Sequence, residues 1–234
     1  MTWRAGIAAA GVAAILCAAL ACRAPRKVSE AGFWYDDFPF TFSESVTAAL
    51  GGPLTGAEID TIKRVSRDEL TRAFSGLEIT VTDSRQAFWT IRVQQSLERR
   101  PGQKLPNAGE TFAMGLLGGR SVVDFNEVVM AAIAHAPPGV LRQARVDGIA
   151  RGIGRVAVHE LAHAILGGGG MMDNRTDAQS YEYFTHNRPA QYYGELHWAG
   201  AWPLLVERVG LRTPERPRAG LLVTPSFLSW REQT

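Results

Sequence analysis

Apolar residues change their spacing along this chain, and the changes divide it into elements. Ile59, Ile62, Val65, Leu70 and Phe74 recur every three to five positions, which predicts an amphipathic helix over 57–74. Thr55 stands where a helix cap is needed and Glu58 three residues on, the pattern of a capping box, while Gly76 supplies the stop. Alternation with period two over 77–82 predicts a strand, and a second follows over 87–93 across a turn at Asp83-Ser84-Arg85. Residues 98–119 are rich in Gly, Pro and polar side chains and read as a loop; 121–126 reads as a third strand. A helix over 127–134 closes at Pro137-Pro138, and a long helical pattern runs from about 140 to 166, where glycines at 167–170 end it. Further helices are predicted over 177–184 and 190–210, the latter broken at Pro203. Strands followed by helices indicate an α+β domain. Two stretches lack a period. Residues 32–40, GFWYDDFPF, read as part of a tether laying Phe33, Trp34, Phe38 and Phe40 on the domain surface, and the proline-punctuated 211–234 reads as a tail.

The first residues change the picture of where the domain begins. Arg4 is followed by an apolar run over 5–21, a positive region and a short hydrophobic region as in a secretory signal, and shorter than the ~20 residues of a spanning helix. Ala19-Leu20-Ala21 offers a small-residue cleavage site, and Cys22 directly after it resembles the lipidated cysteine of a bacterial lipobox. The expected organisation is therefore a signal peptide over 1–21, a tether over 22–52, the domain over 53–210 and the tail over 211–234. The reading places the protein outside the cytoplasm, tethered to a membrane by lipid at Cys22, freely secreted, or held by the uncleaved leader as an anchor. Both cysteines, Cys17 and Cys22, lie within the first twenty-two residues, so the chain after them has no disulfide and no thiolate ligand or nucleophile. Any metal must be held by nitrogen and oxygen. With 46% hydrophobic and 21% charged residues the chain is ordinary for a folded domain, and a net charge of +2 without a dense Lys/Arg cluster gives no support for nucleic-acid binding.

The candidate chemistry lies in the long helix, at His159-Glu160-Leu161-Ala162-His163. Residues four apart on a helix share a face, so the two imidazoles address one point and Glu160 sits one position aside. Two histidines with an open position suit zinc, and the carboxylate suits a general base. Val156, Val158, Leu161, Ala164, Ile165 and Leu166 make the helix largely buried, where two imidazoles and a carboxylate need a common partner. Gly148 and Gly152 share the histidine face two to three turns upstream of His159, which predicts a close approach there by a sheet strand.

HELAH on such a helix resembles the zincin superfamily of zinc metallopeptidases. The resemblance implies a small twisted sheet with helices on one side, an active-site helix carrying the motif, and a mostly helical C-terminal part. It implies one zinc ion, a peptide or protein substrate, and Glu160 as general base. The metzincin continuation fails, because Leu166 and Gly169 stand where that branch has a glycine and a ligand. Gluzincins take a glutamate from a following helix. In one large group it comes after eighteen intervening residues, which here are 164–181, and position 182 is Glu182. Asp177, in a setting resembling the aspzincin pattern with Tyr181 displaced by one position, is the alternative third ligand; Asp173, His186 and His197 follow. Tyr181, Tyr183, Tyr192, Tyr193 and His197 are candidates for a second donor to an oxyanion. Strand 121–126 is expected, by the resemblance, to be an edge that pairs with extended peptide. Two other readings stay open: a non-catalytic surface or periplasmic binding protein with a structural or degenerate zinc site, and a zinc hydrolase acting on a non-peptide amide.

Overall fold

A computed structural model describes residues 29–98, 108–113, 118–167, 183, 187–198 and 200–213. Five strands, β1 (Ser29–Tyr35), β2 (Ile79–Thr82), β3 (Trp89–Gln94), β4 (Gly109–Ala113) and β5 (Gly119–Asp124), form one sheet in the order β2-β1-β3-β5-β4. The first four of these in sheet order are parallel, and β4 runs antiparallel to β5 at the edge. Six helices accompany them among the described residues: α1 (Glu44–Leu50), α2 (Gly56–Ala73), α3 (Phe125–Ala134), α4 (Arg142–Leu166), α5 (Arg188–Tyr193) and α6 (Ala201–Val209). The architecture is mixed α and β, compatible with the α+β expectation.

Local chemistry accounts for the helix starts. At Thr55 the side chain accepts from the Glu58 N–H at 3.3 Å and Glu58 Oε2 accepts from the Thr55 N–H at 2.8 Å, completing the predicted box. Asp124 ends β5 and caps α3, its Oδ1 accepting from the Glu127 N–H at 2.9 Å. The break foreseen at Pro203 falls at 194–200 instead. Pro203 itself sits in the first turn of α6, where a missing N–H costs nothing.

Three expectations are corrected. Residues 22–52 are not all tether. Ser29–Tyr35 is an interior strand with parallel neighbours on both sides, and Phe33 is buried in the core. Ala31, Gly32 and Phe33 are buried in succession, so no alternation marks the strand. Phe38, Phe40 and Phe42 pack against Phe125 with ring centroids 5.1–5.6 Å apart rather than lying on the surface. The strands at 79–82 and 89–94 are not neighbours, because β1 lies between them. The short connection crosses over Gly32, where a Cβ would fall 1.9 Å from the Ser84 carbonyl oxygen, so only glycine permits the passage. The expected loop over 98–119 contains β4, and among the described residues it is β4, not the strand at 119–124, that stands last in the sheet. Five residues with a glycine at one end are too short to declare a period.

The long helix α4 packs along α2 and also against β3, β4 and β5, which puts both helices on one face of the sheet. Gly154 lets the two helices approach: a Cβ there would stand 2.7 Å from the Ser66 carbonyl oxygen and from Glu69 Cβ. Two arginines fix α4 along its length. At its start Arg142 donates to Glu58 Oε1 at 2.7 Å and Oε2 at 2.9 Å, and to the carbonyls of Leu50, Gly52 and Pro53 at 2.7, 3.2 and 2.7 Å. That guanidinium holds the Glu58 carboxyl far below the usual carboxylate range, at about 2. Mid-helix, the buried Arg155 donates to Glu69 Oε1 at 3.0 Å and to the carbonyls of Ala190, Gln191 and Gly194 at 3.0, 2.7 and 2.7 Å. Arg72 also pairs with Glu69, and the Tyr183 hydroxyl donates to its Oε1 at 3.3 Å.

Replacing Arg155 by methionine leaves the buried Glu69 carboxylate with only Arg72 and Tyr183, and should destabilise the fold by roughly 3–5 kcal/mol in urea unfolding. Because the Glu58 pKa is depressed on folding, its contribution is complete above the ordinary carboxylate value and disappears as pH falls from about 4.5 to about 2. Glu58→Gln should flatten the acid limb of a melting-temperature profile in that window while lowering stability at neutral pH; an unchanged acid limb would contradict the assignment.

Candidate functional site

The C-terminal half of α4 lies beneath the β4–β5 corner, and two glycines set that closeness. A Cβ at Gly119 would stand 2.7 Å from Ala164 Cβ. One at Gly109 would fall 2.6 Å from Glu160 Oε1 and 2.8 Å from Val156 Cγ1. The helix therefore presents Glu160 and Ala164 to the sheet and leaves His159 and His163, both half-buried, on the neighbouring face.

There the two imidazoles converge. Their Nε2 atoms are 3.1 Å apart, and the rings stand at 83° with centroids separated by 4.6 Å. Two nitrogens each bound to one tetrahedral zinc would be separated by about 3.3 Å. The spacing thus fits an ion held between them with little adjustment, and it also fits a proton shared between the rings.

Glu160 is 7% exposed, and burial pushes its carboxyl up to about 7, with the Thr111 hydroxyl pulling in the other direction. The Thr111 hydroxyl donates to Glu160 Oε2 in a short hydrogen bond. Thr111 Oγ1 lies 2.9 Å from the Ser121 hydroxyl, its partner directly opposite across β4 and β5. Both hydroxyls also reach the Glu160 backbone oxygen, at 3.0 and 3.3 Å. A carboxyl so placed, near neutral in acidity, is equipped to take up and release a proton.

The sequence-predicted residues divide into three groups. The structure brings together His159, Glu160 and His163. Glu182, Asp177, Asp173, Tyr181, His186 and Cys22 lie outside the described residues. Among the described residues no third His, Cys, Asp or Glu completes a metal-binding group with the pair. The remaining oxyanion candidates are engaged elsewhere. Tyr183 is buried against Glu69, Tyr193 donates to the Ala132 carbonyl at 2.7 Å, Tyr192 stacks on His135, and His197 lies exposed beside Glu195.

The expectation of a strand over Gly148 and Gly152 is corrected by the same tyrosines. A Cβ at Gly148 would meet the Tyr193 ring at 2.5 Å, and one at Gly152 the Tyr192 ring at 2.7 Å. The close approach is real, but side chains of α5 make it; the strands cross α4 one to four turns later. Thr111, Ser121 and Gly109 were not visible as site residues. They lie 39 to 51 positions before Glu160 in segments with no motif, and only the sheet register brings them to it.

Adding a methyl group at Gly109 forces the Glu160 side chain or Val156 to move, so Gly109→Ala should cost about 1–3 kcal/mol in urea unfolding. Gly56→Ala, where a Cβ meets nothing within 4 Å, should be neutral or stabilising in the same assay. Equal effects at the two positions would contradict the packing described. No model of a known protein family matches the chain, and no curated protein matches it.

Proposed function

We propose that the protein is a zinc-dependent metallopeptidase of zincin-like fold, hydrolysing peptide bonds with Glu160 as general base. The observation that carries the reading is the convergence of His159 and His163 Nε2 at 3.1 Å, with a buried carboxylate one position along the same helix. His159 and His163 would hold the ion. A third ligand is sought at Glu182, with Asp177 as the alternative, both outside the described residues. When bound, zinc lowers the pKa of water towards neutrality and polarises a carbonyl. Glu160 would accept the proton of the attacking water and return it to the leaving amine, a task suited to a carboxylate whose environment raises its proton affinity.

The fold supports the reading in outline: a small sheet with α2 and α4 on one face, the motif helix beneath an edge strand, and helices after it. β4, last in the strand order among the described residues and two strands from the centre, is where an extended peptide would add to the sheet, with Thr111 and Gly109 directly above the base. The leader over 1–21 and the lipobox-like Cys22 support an exported protein carried on a membrane by its lipid.

The test is metal content and peptide hydrolysis on the purified chain lacking its leader. The chain should bind one zinc ion and lose it with His159→Ala. Glu160→Gln should retain zinc while hydrolysis of a casein or mixed-peptide substrate falls by at least about 100-fold. Undiminished turnover in Glu160→Gln, or a zinc whose every position is filled by side chains, would refute the catalytic reading and favour a binding protein.

A further inference from the structure

We propose that Thr111 is the positioning residue for Glu160, so that the edge strand offered to the substrate also aims the base. The inference rests on the peptidase reading and adds to it a residue outside the motif.

Three observations converge on the strand. Thr111 and Ser121 stand opposite one another on β4 and β5, their hydroxyl oxygens 2.9 Å apart, and both reach the backbone oxygen of Glu160. Each hydroxyl has one proton to give. Ser121, 2% exposed, has the Glu160 carbonyl and Thr111 Oγ1 as acceptors. Either choice frees the Thr111 proton for Glu160 Oε2, the stronger acceptor when the carboxylate is ionised. Two residues earlier on the same face of β4, Gly109 leaves the room that Glu160 Oε1 occupies. Both oxygens of a side chain with several free torsions are therefore located by one short strand, one oxygen by a donated proton and the other by an absent methyl group.

A threonine serving only the sheet would behave differently. Valine matches its shape and its strand preference and lacks only the hydroxyl. If Thr111 merely packs, Thr111→Val is harmless and Thr111→Ser, which gives up the methyl group, is the worse substitution. If it positions the base, the order reverses. A peptide paired to β4 would also be registered to the carboxylate without any intermediate element, since the strand that holds the one holds the other.

The experiment uses the leaderless chain in its zinc-loaded form. Thr111→Val should keep its zinc and its KM while kcat falls about 10- to 100-fold, and Thr111→Ser should keep kcat within about threefold of the parent. A second reading does not depend on turnover. With 13C-labelled glutamate, the Glu160 carboxyl resonance, identified by its loss in Glu160→Gln, should move in Thr111→Val and stay in place in Thr111→Ser. Full kcat in Thr111→Val, or a serine variant as impaired as the valine one, overturns the proposal. So does a carboxyl resonance that Thr111→Val leaves unmoved, whether or not the chain hydrolyses peptides. A resonance that moves in a parent protein without hydrolytic activity sinks the peptidase reading and leaves the hydrogen bond standing.

Discussion

Everything at the site is referred to one helix, and that helix is held in register by a guanidinium enclosed in protein. Arg155 is 1% exposed, and four of its donor contacts are spent on Glu69 and on three carbonyls of 190–194. Enclosing that charge is costly, and a hydrophobic replacement of both partners could be equally stable. What a well-packed apolar pair would not supply is direction. The guanidinium faces α2 on one side and the last carbonyls of α5 with its C-cap on the other, so α4 can neither slide nor rotate without stranding polar groups. Since His159 lies one turn beyond Arg155, the azimuth of the histidines is fixed by the same clamp.

The motif and the helices α2, α3 and α4 were legible in the chain because their determinants are local, whereas α1, inside the expected tether, was missed. A capping box needs only Thr55 and Glu58, and an i, i+4 histidine pair needs only the helix that carries it. The sheet was legible only in part. Strands β2, β3 and β5 announced themselves by alternation or by apolar runs, but β1 has three successive buried residues and β4 is five residues long. Neither supplies a pattern that periodicity can find. Their places depend on glycines whose meaning is spatial: Gly32 beneath the Ser84 carbonyl, Gly109 above Glu160, Gly119 against Ala164. In sequence each is an ordinary glycine.

The surroundings of Glu160 show the same division. Its proximity to the histidines follows from adjacency. Its burial, its proton affinity and its hydrogen bonds come from two strands some forty to fifty residues earlier. Gly148 and Gly152 are the instructive intermediate. Their presence on the histidine face correctly signalled a close neighbour, but a helix surface cannot say whether backbone or an aromatic ring will fill the gap. Here two adjacent tyrosines, Tyr192 and Tyr193, fill both.

The arginines of α4 have a temporal consequence as well. Arg142 takes its acceptors from 84 to 92 residues upstream, and Arg155 from 86 residues upstream and 35 to 39 downstream. Large chain loops must close at both ends before this helix finds its final seat, and closure entropy makes such steps slow relative to helix formation itself. The imidazoles come into line as soon as a few helical turns exist, whereas the enclosure around the carboxylate arrives only with the whole tertiary structure. The His159–His163 pair thus depends on local structure alone, and the surroundings of Glu160 on contacts distant in sequence.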